Sequence, residues 1–95
     1  MQLESSLERY FVKQCAKRGW RAIKLIDAGR AGWPDRGVFK PDGRIFWAEL
    51  KTETGKLSKI QEHRIKQLRL LNQTVYVMVG KDEIDRILDL ESSML

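Results

Sequence analysis

The segment from position 36 to position 51 constrains this chain more than any other. Arg36-Gly37-Val38-Phe39 is a short β-prone run, Lys40-Pro41-Asp42-Gly43 reads as a tight turn, and Arg44 to Lys51 alternates in polarity. Proline presets φ at the second turn position, and glycine accepts the positive φ that closes the turn. The alternation sends Ile45, Trp47, Glu49 and Lys51 to one side of a strand and Phe46, Ala48 and Leu50 to the other. Together these features predict a hairpin with a three-residue loop and a glycine bulge. With Lys40 opposite Arg44, counting outward pairs Phe39 with Ile45, Gly37 with Trp47, and Asp35 with Glu49. Two carboxylates then face each other with about 5 Å between their Cβ atoms.

The flanking segments complete an α-β-β-β-α-β-α order. Leu3, Leu7, Tyr10 and Phe11 stand at helical spacing in a segment running to Arg18, and Gly19 follows as a C-cap. Trp20 to Ile26 is rich in aromatic and branched residues and predicts a strand, followed by a glycine-rich loop to Gly32. Ser58 and Gln61 fit a capping box that opens a helix to about Leu71. The apolar run Thr74 to Val79 predicts an interior strand buried on both faces. Asp82 is placed to cap a last helix that presents Ile84, Ile87 and Leu88 to the core. A mixed sheet flanked by helices follows, as a single domain over residues 1–95.

Opposed carboxylates destabilise a ladder unless something compensates. Either Lys51 neutralises Asp35 and Glu49, or a hard divalent cation does. Magnesium suits the second role, taking oxygen ligands at about 2.0–2.1 Å, and the carbonyl of Leu50 is a further candidate ligand. Lys51 would then orient or help deprotonate a water, or stabilise charge on a phosphate. The plainer reading is a surface salt-bridge cluster. It does not account for three charges converging at the end of an apolar hairpin.

Charge points to a polyanion. The 95 residues carry 18 Lys and Arg against 13 Asp and Glu, a net charge of +5, and the pI near 9.6 exceeds the value of about 9 that marks nucleic-acid-binding domains. From Lys51 to Arg69 six basic residues stand against only Glu53 and Glu62. One cysteine and one histidine exclude an internal disulfide and a multi-thiolate zinc site. No apolar run is long enough to span a bilayer and the start is no signal peptide, so an intracellular, cytoplasmic setting is expected.

Gly32-Trp33-Pro34-Asp35, the hairpin, Trp47-Ala48-Glu49-Leu50-Lys51-Thr52, and then Gly55-Lys56-Leu57-Ser58 with Gln61 resemble the PD-(D/E)XK nucleases, among them the small VRR-NUC domains. The resemblance covers nearly the whole chain. It implies an α/β (α+β) fold with a restriction-endonuclease-like αβββαβ core and, here, an extra C-terminal helix. It also implies magnesium-dependent hydrolysis of phosphodiester bonds in DNA, with manganese as a substitute. Asp35 and Glu49 would bind the metal, and Lys51 would assist the nucleophilic water. A first-helix glutamate completes such sites; Glu8 is the match, with Glu4, one turn earlier, as second choice. Gln61 matches a glutamine that supports the site or touches substrate.

These residues also have local explanations. Glu8 fits the far half of a capping box begun by Ser5, and Gln61 is the natural capping partner of Ser58. Cys15 reads as a small core residue and His63 as a surface one. Arg30, Lys56, Lys59 and Arg64 are expected to hold a DNA backbone. Stand-alone, phage-type proteins of this kind resemble resolvases of branched DNA such as the four-way (Holliday) junction, which implies a homodimer with two active sites, no membrane partner and no small-molecule substrate. The competing readings are a non-catalytic DNA-binding module and an adaptor that uses the acidic C-terminal helix.

Overall fold

The structure, a computed structural model, describes residues 4–24 and 31–94. Its elements are α1 (Glu4–Lys17), β1 (Arg21–Lys24), β2 (Arg36–Phe39), β3 (Ile45–Lys51), α2 (Lys59–Leu70), β4 (Val75–Val79) and α3 (Gly80–Ser92). The expected element order holds. The four strands form one mixed sheet in the order β1-β2-β3-β4. The pairs β1·β2 and β2·β3 are antiparallel, while β3·β4 is parallel.

The hairpin has the register counted from its turn. Phe39 pairs with Ile45 and Gly37 with Trp47, and the Lys40 N–H donates to the Arg44 carbonyl at 2.9 Å. A Cβ on Gly37 would lie 2.7 Å from the Trp47 ring, so the indole packs flat across its partner strand only because that side chain is missing. The Trp47 Nε1–H reaches Gln73 Oε1 at 3.1 Å.

Helices cover the two faces unequally. Phe46, Ala48 and Leu50 face α1 and α3, forming the core with Leu7, Phe11, Cys15, Ile84, Ile87 and Leu88. Fully burying each large apolar side chain among these contributes roughly 1.5–3 kcal/mol. The other face is covered by α2 at the β3–β4 end, which leaves Ile23, Phe39 and Ile45 about 40% exposed.

Two expectations need correction. β4 is an edge strand rather than an interior one, and only Val75 and Met78 in it are buried. Its apolar run reflects helices packed on both of its faces, not strands on both sides. Asp82 does not cap α3, which starts at Gly80 without a side-chain cap on Val79. Instead the Val79 N–H donates to Glu83 Oε1 at 3.0 Å, so a residue inside the helix satisfies that donor.

One buried ion pair ties the hairpin turn to the C-terminal helix. Lys40 Nζ lies 3.1 Å from Glu91 Oε1, with both side chains 5% exposed. Lys40 also donates to the Glu91 carbonyl at 2.8 Å and sits over the Trp20 ring. The Tyr76 hydroxyl donates to the other Glu91 oxygen. Removing one partner strands a buried charge at a cost of about 3–5 kcal/mol, whereas replacing both with apolar groups costs far less. In urea denaturation Lys40→Met should therefore lose about 3 kcal/mol, and Lys40→Met with Glu91→Leu should be more stable than Lys40→Met alone. Additive losses would contradict this.

Candidate metal centre

The site forms where the loop before β2, the end of β3 and the two flanking helices meet. Gly32 has a φ of +89°, and a Cβ there would sit 2.8 Å from the Ile60 carbonyl oxygen. Only glycine lets this loop lie against the first turn of α2. Pro34 is buried, and the chain emerges at Asp35, one step beyond the last ladder pair, Arg36 with Ala48. Asp35 Oδ2 accepts the Leu50 N–H at 3.1 Å. The Leu50 carbonyl leaves the strand on the side of its N–H, as extended geometry requires, and so toward Asp35.

Glu49 is 1% exposed. Its Oε2 accepts from Gln61 Nε2 at 3.1 Å and lies 3.6 Å from Lys51 Nζ. Its Oε1 is buried with no hydrogen-bond partner among the described residues. From α1, Glu4 joins the pair: one oxygen each from Glu4, Asp35 and Glu49 lie within 4.8 Å of one another. Buried acceptors are nearly always satisfied. A carboxylate with an orphaned oxygen, clustered with two further carboxylates, fits a hard cation, and these oxygen donors are the kind magnesium takes.

The structure thus brings Asp35, Glu49, Lys51 and Gln61 together. Glu8, the first choice on the helix, is elsewhere, 3.9 Å from Lys24 Nζ and 4.0 Å from Arg36 Nη2. Glu4 takes the position because the cluster forms at the end of the sheet where Asp35 leaves the β2–β3 ladder, and the first turn of α1 reaches that end. The capping role for Glu8 is absent too, since Ser5 lies inside α1 rather than at its N-cap. Gln61 has both of its expected contacts. Its Oε1 accepts the Ser58 N–H and its N–H reaches Ser58 Oγ, closing the capping box, while its amide donates to Glu49.

Lys56 and Lys59 are exposed at the entry to α2, and His63 is exposed on that helix. Arg64 is already engaged: its guanidinium stacks 5.1 Å from the Trp33 ring centroid, and it donates to the Ala31 carbonyl and to Gln67 Oε1. It therefore clamps the Gly32–Asp35 loop onto α2, a role visible in sequence only as a positive charge. Arg30 lies outside the described residues. Cys15 is a core residue whose thiol is pushed up to about 12 by burial.

The Glu49 carboxyl is raised from its ordinary value to about 7: burial contributes most, the charge of Asp35 adds to it, and Lys51 pulls the other way. In the unfolded chain Glu49 titrates near 4.5. Its contribution to stability is therefore complete below that pH and lost as pH rises through about 7. In EDTA, the thermal midpoint of wild type relative to Glu49→Gln should fall between pH 5 and pH 8. A difference that stays constant across that range would contradict the buried, repelled carboxylate.

Comparison with known proteins bears on the fold and the family. No protein-family profile matches the chain. A protein described as "Putative nuclease p44", from Acyrthosiphon pisum secondary endosymbiont phage 1, is 34% identical over 79 residues, covering 83% of this chain and 85% of that protein. A solved VRR-NUC domain superposes with a TM-score of 0.83 at 28% identity, covering 90% of this chain and 94% of that one. The mixed sheet and the three helices are shared along almost the full length, and the chain belongs to the VRR-NUC domain family.

Proposed function

We propose that this domain is a magnesium-dependent DNA endonuclease acting on branched DNA, with the four-way junction as its preferred substrate. The observation that carries the reading is the convergence of Glu4, Asp35 and Glu49 beside Lys51, with one Glu49 oxygen buried and unpartnered. A pure DNA binder gains nothing from three carboxylates near phosphate. The resemblance to a phage protein described as a nuclease supports the same reading.

Asp35, Glu49, Glu4 and the Leu50 carbonyl would hold the cation. Bound there, it supplies a Lewis acid for the phosphoryl oxygens and a source of nucleophile near neutral pH. The protein's own groups do the rest. Gln61 fixes the Glu49 side chain, and the Leu50 N–H fixes Asp35, so neither carboxylate has to reorganise during the reaction. Lys51, held against Glu49 and only 14% exposed on its side chain, orients the attacking water and offsets charge on the phosphate. Lys56 and Lys59 are placed to hold the DNA backbone from the α2 side.

A homodimer suits a junction with paired strands, and the exposed Ile23, Phe39 and Ile45 face is the kind of surface that a twofold contact buries. No helix among the described residues is long and apolar enough to cross a membrane.

A fluorescent four-way junction should be cut in magnesium or manganese. Lys51→Ala should lower the single-turnover rate about 10²–10³-fold, as removal of one charge-stabilising donor does, while junction binding in calcium stays within about twofold. Glu4→Gln should raise the magnesium midpoint about tenfold, and Glu8→Gln should leave it within about twofold. Absence of cleavage of any branched or linear DNA, with binding intact and indifferent to metal, would replace this reading with a non-catalytic DNA-binding module.

A further inference from the structure

A second charged surface lies on the outer side of α1, beyond the carboxylates. A shallow groove of about 470 Å³ runs between α1 and the start of β2, lined in part by Ser5, Glu8, Arg9, Lys13 and Arg36. Lys24 stands at its edge, within reach of Glu8. Four cations thus surround one carboxylate. Glu8 does not quench them, because it lies 3.9 Å from Lys24 and 4.0 Å from Arg36, at the outer limit of ion pairing. The Arg36 side chain is only 16% exposed, and its Nε is buried without a hydrogen-bond partner among the described residues. A solvated charged face does not explain a largely buried Arg36 side chain whose Nε has no partner, since such donors are normally paired.

The groove and the metal centre draw on the same two segments, the first turns of α1 and the entry to β2. Asp35 and Arg36 are neighbours in sequence, so one turns to the carboxylate cluster and the next to the groove. Along α1, Glu4 belongs to the cluster, while Arg9 and Lys13 follow about 7.5 and 13.5 Å further up the axis at 1.5 Å per residue. Those offsets are about two and four steps of a strand whose phosphates rise about 3.4 Å each.

We infer that this α1–β2 groove binds the sugar-phosphate backbone of the nucleic-acid strand that enters the metal centre, with Arg9, Lys13, Lys24 and Arg36 as its phosphate contacts. The inference rests on the nuclease reading and adds to it. Lys56 and Lys59 hold the strand from the α2 layer and the groove holds it from the α1 layer, so the reacting phosphate is gripped on both sides. Glu8 acts as a positioning residue that spaces Lys24 and Arg36. The contacts carry no sequence information, as backbone contacts do not.

Arg9→Ala with Lys13→Ala tests this, since Lys13 is exposed on a helix where alanine is favoured. Binding of a fluorescein-labelled duplex would be followed by anisotropy in calcium across a salt series. The double variant should bind at least tenfold more weakly at 100 mM salt, with the log–log salt slope reduced by about 1.8, or about 0.9 per lost phosphate contact. Lys66→Ala, which removes a cation outside the groove, should leave the slope unchanged. An unaltered slope in the double variant, or an equal loss per residue in Lys66→Ala, would overturn the groove. Matching far-ultraviolet spectra would exclude misfolding, and wild-type cleavage in magnesium separates this outcome from failure of the nuclease reading.

Discussion

The fold is organised around a repulsion. The hairpin register sets Asp35 across from Glu49, and the packing of β3 removes Glu49 almost wholly from water. Two carboxylates in a low-dielectric setting oppose folding unless a positive charge intervenes. Lys51 offsets part of this from 3.6 Å, yet one Glu49 oxygen stays unpartnered and the carboxyl is raised to about 7. Glu4 adds a third negative charge. A protein that concentrates charge this way gives up stability where the sequence could have been apolar, and the cation proposed for this site would be the physical reason to do so.

Helix α2 is the common reference for both carboxylates. Gln61 on its first turn holds Glu49 directly. The loop carrying Asp35 docks on the same turn through Gly32 against Ile60 and through Trp33 against Arg64. Helix α1 approaches from the other face of the sheet, bringing Glu4 to the cluster and a basic groove behind it. Support for the carboxylates thus comes from the α2 layer, and a third carboxylate from the α1 layer.

Much of this was legible in the sequence, for identifiable reasons. The Lys40-Pro41-Asp42-Gly43 turn fixes where counting begins, so the Asp35–Glu49 opposition is legible from the sequence alone. The capping box made Ser58 and Gln61 visible in the same way. Glu4 and Glu8 could not be separated, because residues four apart share a helix face and the spacing does not say how far α1 projects past the sheet. The apolar run in β4 reports cover on its faces and is silent about its neighbours, hence the misplaced interior strand. Arg64 carries the same charge as Lys59, but its ring partner Trp33 is distant in sequence, so its clamping role emerges only once the chain is folded.

The central claim is that oxygens of Glu4, Asp35 and Glu49, with the Leu50 carbonyl, enclose a divalent cation. An anomalous difference map at the manganese edge, from crystals grown with manganese, tests it most directly. The account predicts one strong peak among those four groups, about 2.1–2.2 Å from the nearest oxygens, as expected of hard octahedral ligation. A map with no peak there, with Glu49 bonded only to Lys51 and Gln61, would contradict it.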